Sequence, residues 1–218
     1  MALSSSKYVI NGKTGNHNGY TVNTGYTVDA GILNRFISVL DNTMGAYNRV
    51  FAFRVDLRLP VGLILTAEME CRLIDRFIAS FKAKVRNNRS TALKLSPNAH
   101  DTEVRYVWAR EVNAQGGVHY HFMFFLNGDA FNSLGSFWAA SGNTYTRLVE
   151  AWASALCIAV KDAAGLVYVV KEGMFHLNAS STNCAEIKNQ IVHNLSYMAK
   201  QETKVPGCGL HRYGASRK

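Results

Sequence analysis

The chain has 218 residues, of which 48% are hydrophobic and 18% charged, a balance that excludes a disordered protein and favours one globular domain. Its formal net charge of +9 favours a polyanionic partner, which can be nucleic acid, an anionic membrane surface or an acidic protein. No basic and apolar leader opens the chain and no apolar stretch is long enough to span a bilayer, so we expect a cytoplasmic protein with no membrane partner.

Residues 1–28 are rich in Ser, Asn, Gly and Thr and predict an irregular N-terminal arm, followed by one domain over 29–218. Within the arm, residues 12–14 resemble the end of a Walker A loop. The glycine that such a loop needs five positions earlier is Lys7, so the phosphate cradle is missing and an ATPase is excluded.

The next part of the chain predicts a helix, a strand and a second helix. A helix is expected from Asp29, and residues 51–59 alternate as in a strand that Pro60 ends. The second helix follows Thr66, a candidate N-cap. The first helix is expected to bury Ile32, Phe36, Val39 and Leu40; the strand, Phe51, Phe53, Val55, Leu57 and Leu59; the second helix, Met69, Leu73, Phe77 and Phe81.

The remaining segments predict a hairpin, a helix, a short hairpin and a final helix. The predicted bounds are 104–111 and 117–126 for the first hairpin, 144–159 for the helix, and 166–170 and 174–177 for the second hairpin, which turns at Glu172-Gly173. The final helix begins near Asn183, with Glu186 completing a capping box. These elements predict an α+β fold in which helices pack on an antiparallel central sheet.

The four cysteines are widely spaced and form no CxxC pair, which fits reduced thiols in a cytoplasmic protein. Two cysteines and two histidines could form a zinc site, but their spacing matches no strong zinc-binding pattern, and we do not expect one. Its members would be Cys184, His193, Cys208 and His211.

The clearest chemical signal is a pair of histidines on the predicted strand 117–126. Alternate residues of a strand share a face, so His119 and His121 lie side by side and can both bind one divalent metal ion. If the hairpin pairs symmetrically about its loop, Glu111 lies opposite His119 and supplies a third ligand. A register slip of one residue would turn Glu111 away, and two histidines can also share a strand face without binding metal.

The final helix carries the second group of reactive residues. At helical spacing, His193, Tyr197 and Lys200 share one face, and Lys204 continues it. The lysines can attract a phosphate and the Tyr197 hydroxyl can attack it, although a plain polar helix face gives the same pattern. The buried stripe is expected to hold Ile187, Ile191, Leu195 and Met198.

These residues together predict phosphoryl transfer to tyrosine. A metal ion bound by the histidines would polarise the scissile phosphate, Tyr197 would attack phosphorus and expel the 3′ oxygen, and Lys200 would stabilise the added charge. The product is a 5′-phosphotyrosine and a free 3′ hydroxyl. Cations of two segments are expected to contact DNA: Lys204, Arg212, Arg217, Arg54 and Arg58. Another basic run, 72–89, can equally be a solvated face.

Four segments resemble HUH endonucleases, specifically the inovirus-type replication-initiation proteins of filamentous phages and prophages. They are 53–60, the His119-Tyr120-His121 strand continued to 129, Tyr197 to Lys200, and 213–217. The resemblance implies a ferredoxin- or RRM-like core, with His119 and His121 as metal ligands and Tyr197 as nucleophile. It also implies Mg²⁺ or Mn²⁺, rolling-circle replication from a single-stranded or supercoiled origin, and a host helicase and polymerase as partners.

The chain departs from some members of that group by having one tyrosine near the active face of the last helix, which implies a one-tyrosine cycle. Two other interpretations stay open. A metal-dependent nuclease would use water in place of Tyr197, and a catalytically silent DNA-binding regulator would use the basic surface alone.

Overall fold

The computed structural model describes residues 9–10, 15–139, 141–204 and 211–217; residues 12–14, the fragment similar to a Walker A loop, lie outside them. The elements of the first half are β1 Val9–Ile10, β2 Asn16–His17, β3 Tyr20–Thr21, β4 Val28–Asp29, α1 Ala30–Ala46, β5 Arg49–Arg58 and α2 Ala67–Leu95. Those of the second half are β6 Arg105–Val112, β7 Val118–Asn127, α3 Thr144–Leu156, α4 Val160–Ala163, β8 Val167–Asn178, α5 Cys184–Met198 and β9 Tyr213–Ala215.

The centre of the fold is a five-stranded sheet of order β8-β5-β7-β6-β9, in which every neighbouring pair is antiparallel. Side chains alternate across it, so Phe53 and Phe122 face α2 and α3 while Ala52 and Met123 face α1 and α5. Each face is covered by its own apolar core. The predicted α+β class with an antiparallel sheet and packed helices is confirmed.

Both early helices begin where the sequence predicted, because Asp29 accepts a hydrogen bond from the Ile32 amide (3.0 Å) and Thr66 accepts one from the Met69 amide (3.2 Å). The expectation that Met69 is buried is wrong, since it is 52% exposed. Glu70 takes the inward position instead and is paired there with Arg110.

The expected hairpin over 166–177 is wrong. Residues 167–178 form one strand, β8, which pairs with β5 along its length except for a break in register between Phe53 and Val55 of β5. Met174 lies opposite Phe53 and Val169 opposite Val55, so the intervening residues of β8 bulge past the single residue Arg54. Gly173 allows this, because a Cβ there would lie 2.7 Å from the Arg54 Cβ.

Two helix ends also differ from expectation. The third helix stops at Leu156 because Cys157 adopts a left-handed conformation (φ 58°), and α4 follows as a separate turn. The last helix begins after Asn183 as predicted, but the Asn183 side chain makes no cap hydrogen bond and instead accepts one from Ser181. Glu186 accepts from Gln190, so no capping box forms.

Residues 15–29, most of which belong to the predicted N-terminal arm, contain the two-residue strands β2, β3 and β4 and pack along α5. The Thr21 amide donates to Asn189 Oδ1 (2.7 Å) and the Asp29 amide donates to the Ala199 carbonyl (2.9 Å). This segment therefore belongs to the packed structure. Within the described residues, no helix combines the length and apolar character that crossing a membrane requires.

Candidate metal centre

The β6–β7 hairpin brings three potential metal ligands to one face of the sheet. Glu111 lies directly opposite His119 and Ala109 opposite His121, which confirms the predicted register. The side chains of Glu111, His119 and His121 point toward α5, and their ligand atoms all lie within 4.8 Å of one another. Two imidazoles and a carboxylate at this separation can hold one divalent cation.

Glu111 is 1% exposed, and its Oε2 lies 3.1 Å from His121 Nε2 and 3.7 Å from His119 Nε2. Burial acts to raise the pKa of this carboxyl, but its contacts with His119 and His121 and the nearby Lys200 ammonium outweigh burial and hold the pKa well below its usual range. Among the residues that the structure describes, Glu111 Oε1 and His121 Nε2 are buried atoms without a hydrogen bond. A cation between them would satisfy both atoms.

Asp56, which was not among the predicted site residues, fixes the orientation of His121. The two residues are opposite each other in the β5–β7 pairing, and Asp56 Oδ1 lies 2.6 Å from His121 Nδ1. When a cation replaces the proton on His121 Nε2, the remaining Nδ1 proton can be donated to Asp56, which leaves the Nε2 lone pair free to bind the metal. Burial acts to raise the pKa of Asp56, but His121 and the Arg54 guanidinium, 3.1 Å away, lower it below its ordinary value.

A second buried network supports the opposite face of the histidine strand. Tyr120 lies between the two histidines in sequence and points toward α2, where its hydroxyl donates to Glu70. Arg110 makes a two-pronged contact with the same carboxylate, with nitrogen–oxygen distances of 2.5 and 3.2 Å. Burial and the Glu70 charge raise the pKa of Tyr120, so the phenol stays protonated and holds β7 against α2.

Tyr197 lies over the candidate metal ligands, in the last turn of α5. Its ring centroid is 5.7 Å from that of His121, the Arg54 guanidinium is 4.7 Å from the ring centre, and the Lys200 ammonium is 3.6 Å from it. Tyr26, from the segment before β4, contacts the ring edge-on at 5.5 Å. The predicted tyrosine and the predicted metal ligands therefore meet in one site, to which Tyr26 also contributes.

Lys200 and Lys204 lie near this site, but they are not on the last helix, where they were predicted. The helix ends at Met198, so neither lysine lies on it, and Lys200 forms a bridge with Val28. The Lys200 ammonium is 2.7 Å from Glu111 Oε2. His193 does not join them, because it is exposed on another surface beside Thr21.

Lys204 was expected to contact DNA, but it is 5% exposed. Its ammonium donates to the Met198 and Lys200 carbonyls (2.7 and 2.6 Å) and so caps the end of α5. Burial lowers the pKa of Lys204 to about 8, and this position does not support direct contact with a nucleic acid.

The other predicted DNA contacts are dispersed. Arg54 is 8% exposed inside the site, whereas Arg58 is exposed with its guanidinium over the Tyr168 ring. Arg212 is half-buried beside β6, and Arg217 is exposed near the start of that strand.

The residues of the rejected zinc site do not assemble in the part of the chain that the structure describes. His211 lines a 40 Å³ cavity with Glu70, far in the fold from the surface that carries His193, and Cys208 lies outside the described residues.

The fold and site define an α+β protein in which a central antiparallel sheet carries a Glu/His/His cluster under a tyrosine. The chain belongs to the YagK/YfjJ C-terminal domain family, whose model matches residues 11–216. It is similar to the uncharacterized protein YfjJ of Escherichia coli K12, with 28% identity over 191 residues that cover 84% of this chain and 92% of the relative. The uncharacterized protein YagK of the same organism is 28% identical over 191 residues, 85% of this chain and 90% of its own length. No solved structure matches the chain.

Proposed function

We propose that the protein is a metal-dependent nickase of single-stranded DNA that uses Tyr197 as its nucleophile. The observation that carries the proposal is the 5.7 Å separation of the Tyr197 and His121 rings, because a metal ion on His121 and the Tyr197 hydroxyl could then reach one phosphate. A tyrosine within reach of a candidate metal centre and two buried cations is a suitable arrangement for phosphoryl transfer.

The residues present fit a divalent cation. His119, His121 and Glu111 would hold it, since His121 Nε2 and Glu111 Oε1 are buried without hydrogen bonds and Asp56 leaves the Nε2 lone pair available. Two imidazoles favour Mn²⁺ over Mg²⁺, which prefers an all-oxygen ligand set. When bound, the cation would supply Lewis-acid stabilisation of the phosphate charge.

In the proposed step, Tyr197 Oη forms a bond to phosphorus and the bond from phosphorus to the 3′ oxygen breaks. The phenol proton passes to water and the leaving 3′ oxygen takes one up, so the products are a 5′-phosphotyrosine and a 3′ hydroxyl. Arg54 and Lys200 flank the ring at 4.7 and 3.6 Å and add positive charge where the attacked phosphate gains negative charge. Rejoining is the reverse of this step.

We further propose that the reaction initiates rolling-circle replication, as in the inovirus-type HUH proteins. The resemblance of four sequence segments supports this, together with a histidine strand central in an antiparallel sheet and a tyrosine helix over it. On this proposal the protein acts in the bacterial cytoplasm on single-stranded or supercoiled origin DNA. A host helicase would unwind the duplex, and a host polymerase would extend the free 3′ end.

A test uses labelled single strands tiled across the DNA on both sides of the gene, incubated with Mn²⁺ and separated on a denaturing protein gel. The proposal expects a covalent adduct that Tyr197→Phe, His121→Ala and a chelator each abolish. Tyr168→Phe is the matched control, since Tyr168 is exposed on β8. Cleavage without an adduct would favour a nuclease that uses water, and salt-sensitive binding without cleavage would favour a silent DNA-binding regulator.

A further inference from the structure

A cleft between α2 and the end of β9 lies away from the metal centre and has no part in the proposed reaction. Its volume is 560 Å³, and a second, adjoining cleft of 390 Å³ shares Arg86 and Asp101 with it. We call the two together the α2–β9 cleft. Its cations are Lys82, Arg86, Arg89, Lys94 and Arg217.

The positive charge of this cleft is largely uncompensated. Its acidic residues are Asp101 and Glu103, and Glu103 is already paired with Arg105 at 3.7 Å. Among the described residues, Arg86 and Arg217 form no ion pair, and both are exposed. A fixed group of unpaired cations in a concave surface attracts a polyanion.

The cations extend far enough to contact several phosphates of a nucleic-acid backbone. Lys82, Arg86 and Lys94 recur at multiples of four residues along α2, so they form a row about 18 Å long at 1.5 Å per residue. Double-stranded DNA carries one negative charge per about 1.7 Å of its axis. Arg217 lies across the cleft from this row, next to Ser216, whose amide donates to the Tyr106 carbonyl (2.9 Å) and whose Oγ accepts from the Tyr106 amide (3.3 Å).

The residues that line the cleft favour duplex over single-stranded DNA. Proteins that bind unpaired bases offer aromatic rings for stacking. None of the described residues that line the cleft is aromatic. The lining thus offers charges for phosphates and no ring for stacking, which suits a duplex bound through its backbone.

We propose that the α2–β9 cleft binds the phosphate backbone of double-stranded DNA. The strand β6 runs from the cleft at Arg105 to the metal ligand Glu111, a distance of about 20 Å at 3.3 Å per residue. The inference does not require Tyr197 to be a nucleophile.

The experiment measures binding of the full chain to a random duplex of about 20 base pairs by fluorescence anisotropy over a range of salt concentrations. The triple variant Lys82→Ala/Arg86→Ala/Arg217→Ala is expected to lose affinity on the order of 100-fold at 0.1 M salt, and the log–log salt slope should fall by about 2 to 3. The charge-retaining variant Arg86→Lys/Arg217→Lys should bind within about threefold of the wild type.

The matched control removes the same charge elsewhere, with Arg72→Ala/Lys161→Ala/Lys171→Ala at exposed positions. Equal losses in the two triple variants would overturn the proposal, since net charge alone would explain binding. Binding of phosphatidylserine vesicles that depends on the cleft, without duplex binding, would also overturn the proposal. So would a single strand that binds with the same affinity as the duplex and loses as much affinity in the cleft variant. Adduct formation on a short single strand should survive the double variant Lys82→Ala/Arg86→Ala, which separates this proposal from the nickase reaction.

Discussion

Asp56→Asn tests whether the Asp56 carboxylate prepares His121 to bind metal. The substitution keeps the shape of the side chain but removes the charge that lies 2.6 Å from His121 Nδ1 and 3.1 Å from Arg54 Nε. Loss of such a supporting carboxylate lowers metal affinity about 10- to 100-fold, which is about 1.4 to 2.8 kcal/mol. We expect a loss in this range for Mn²⁺, measured by isothermal titration calorimetry on metal-free protein at pH 7.

The same substitution should lower the free energy of unfolding of the metal-free protein by about 1 to 3 kcal/mol, because the buried Arg54 loses its counter-charge. Since the folded-state pKa of Asp56 is below its ordinary value of 3.8, this contribution is present above that pH and disappears as pH falls through the folded pKa. Asp129→Asn is the control, because Asp129 pairs with an exposed Arg49. Unchanged Mn²⁺ affinity in Asp56→Asn would refute the proposed orientation of His121.

Three other predictions address separate parts of the site. Tyr120→Phe removes the hydroxyl that donates to Glu70 and should cost about 1 to 3 kcal/mol by urea unfolding. Because the folded pKa of Tyr120 is raised, the wild type should also lose stability above about pH 10, and the variant should lose less; equal pH profiles would contradict this. Tyr26→Ala should slow adduct formation about tenfold by removing the edge contact that orients Tyr197, whereas Tyr26→Phe should not; equal rates in both variants would count against that role. Mn²⁺ at about 100 times its Kd should raise the free energy of unfolding by about 2.7 kcal/mol, which corresponds to a rise in Tm of roughly 5 to 10 °C. This rise should disappear in His119→Ala; an identical rise in that variant would show that the ion binds elsewhere.

The sequence was sufficient for the parts of the site that depend on local pattern. Alternation along β7 put His119 and His121 on one face, and a symmetric hairpin put Glu111 opposite His119. Helical spacing likewise identified Tyr197 on α5. These features require only the period of an element and one short turn.

Features that depend on long-range pairing were missed. Asp56 reaches His121 only through the β5–β7 register, and Tyr26 reaches Tyr197 only because the N-terminal segment packs along α5. The Glu172-Gly173 pair is typical of a turn, but the partner of both halves of β8 is β5.

The position of Lys200 was mistaken for a similar reason. No glycine or proline marks the end of α5, so the sequence predicted a helix that continues past Met198. The lysine still meets Glu111, because the chain turns back at Ala199 and bridges to Val28.

The most direct test of the central claim is to locate the DNA-modified residue by mass spectrometry of a tryptic digest of the adduct. Cleavage after Lys188 and Lys200 releases residues 189–200, which contain Tyr197 as their single tyrosine. We expect a 5′-phosphorylated nucleotide on that peptide in the presence of Mn²⁺. A modification on any other peptide, or cleaved DNA with peptide 189–200 unmodified, would contradict it.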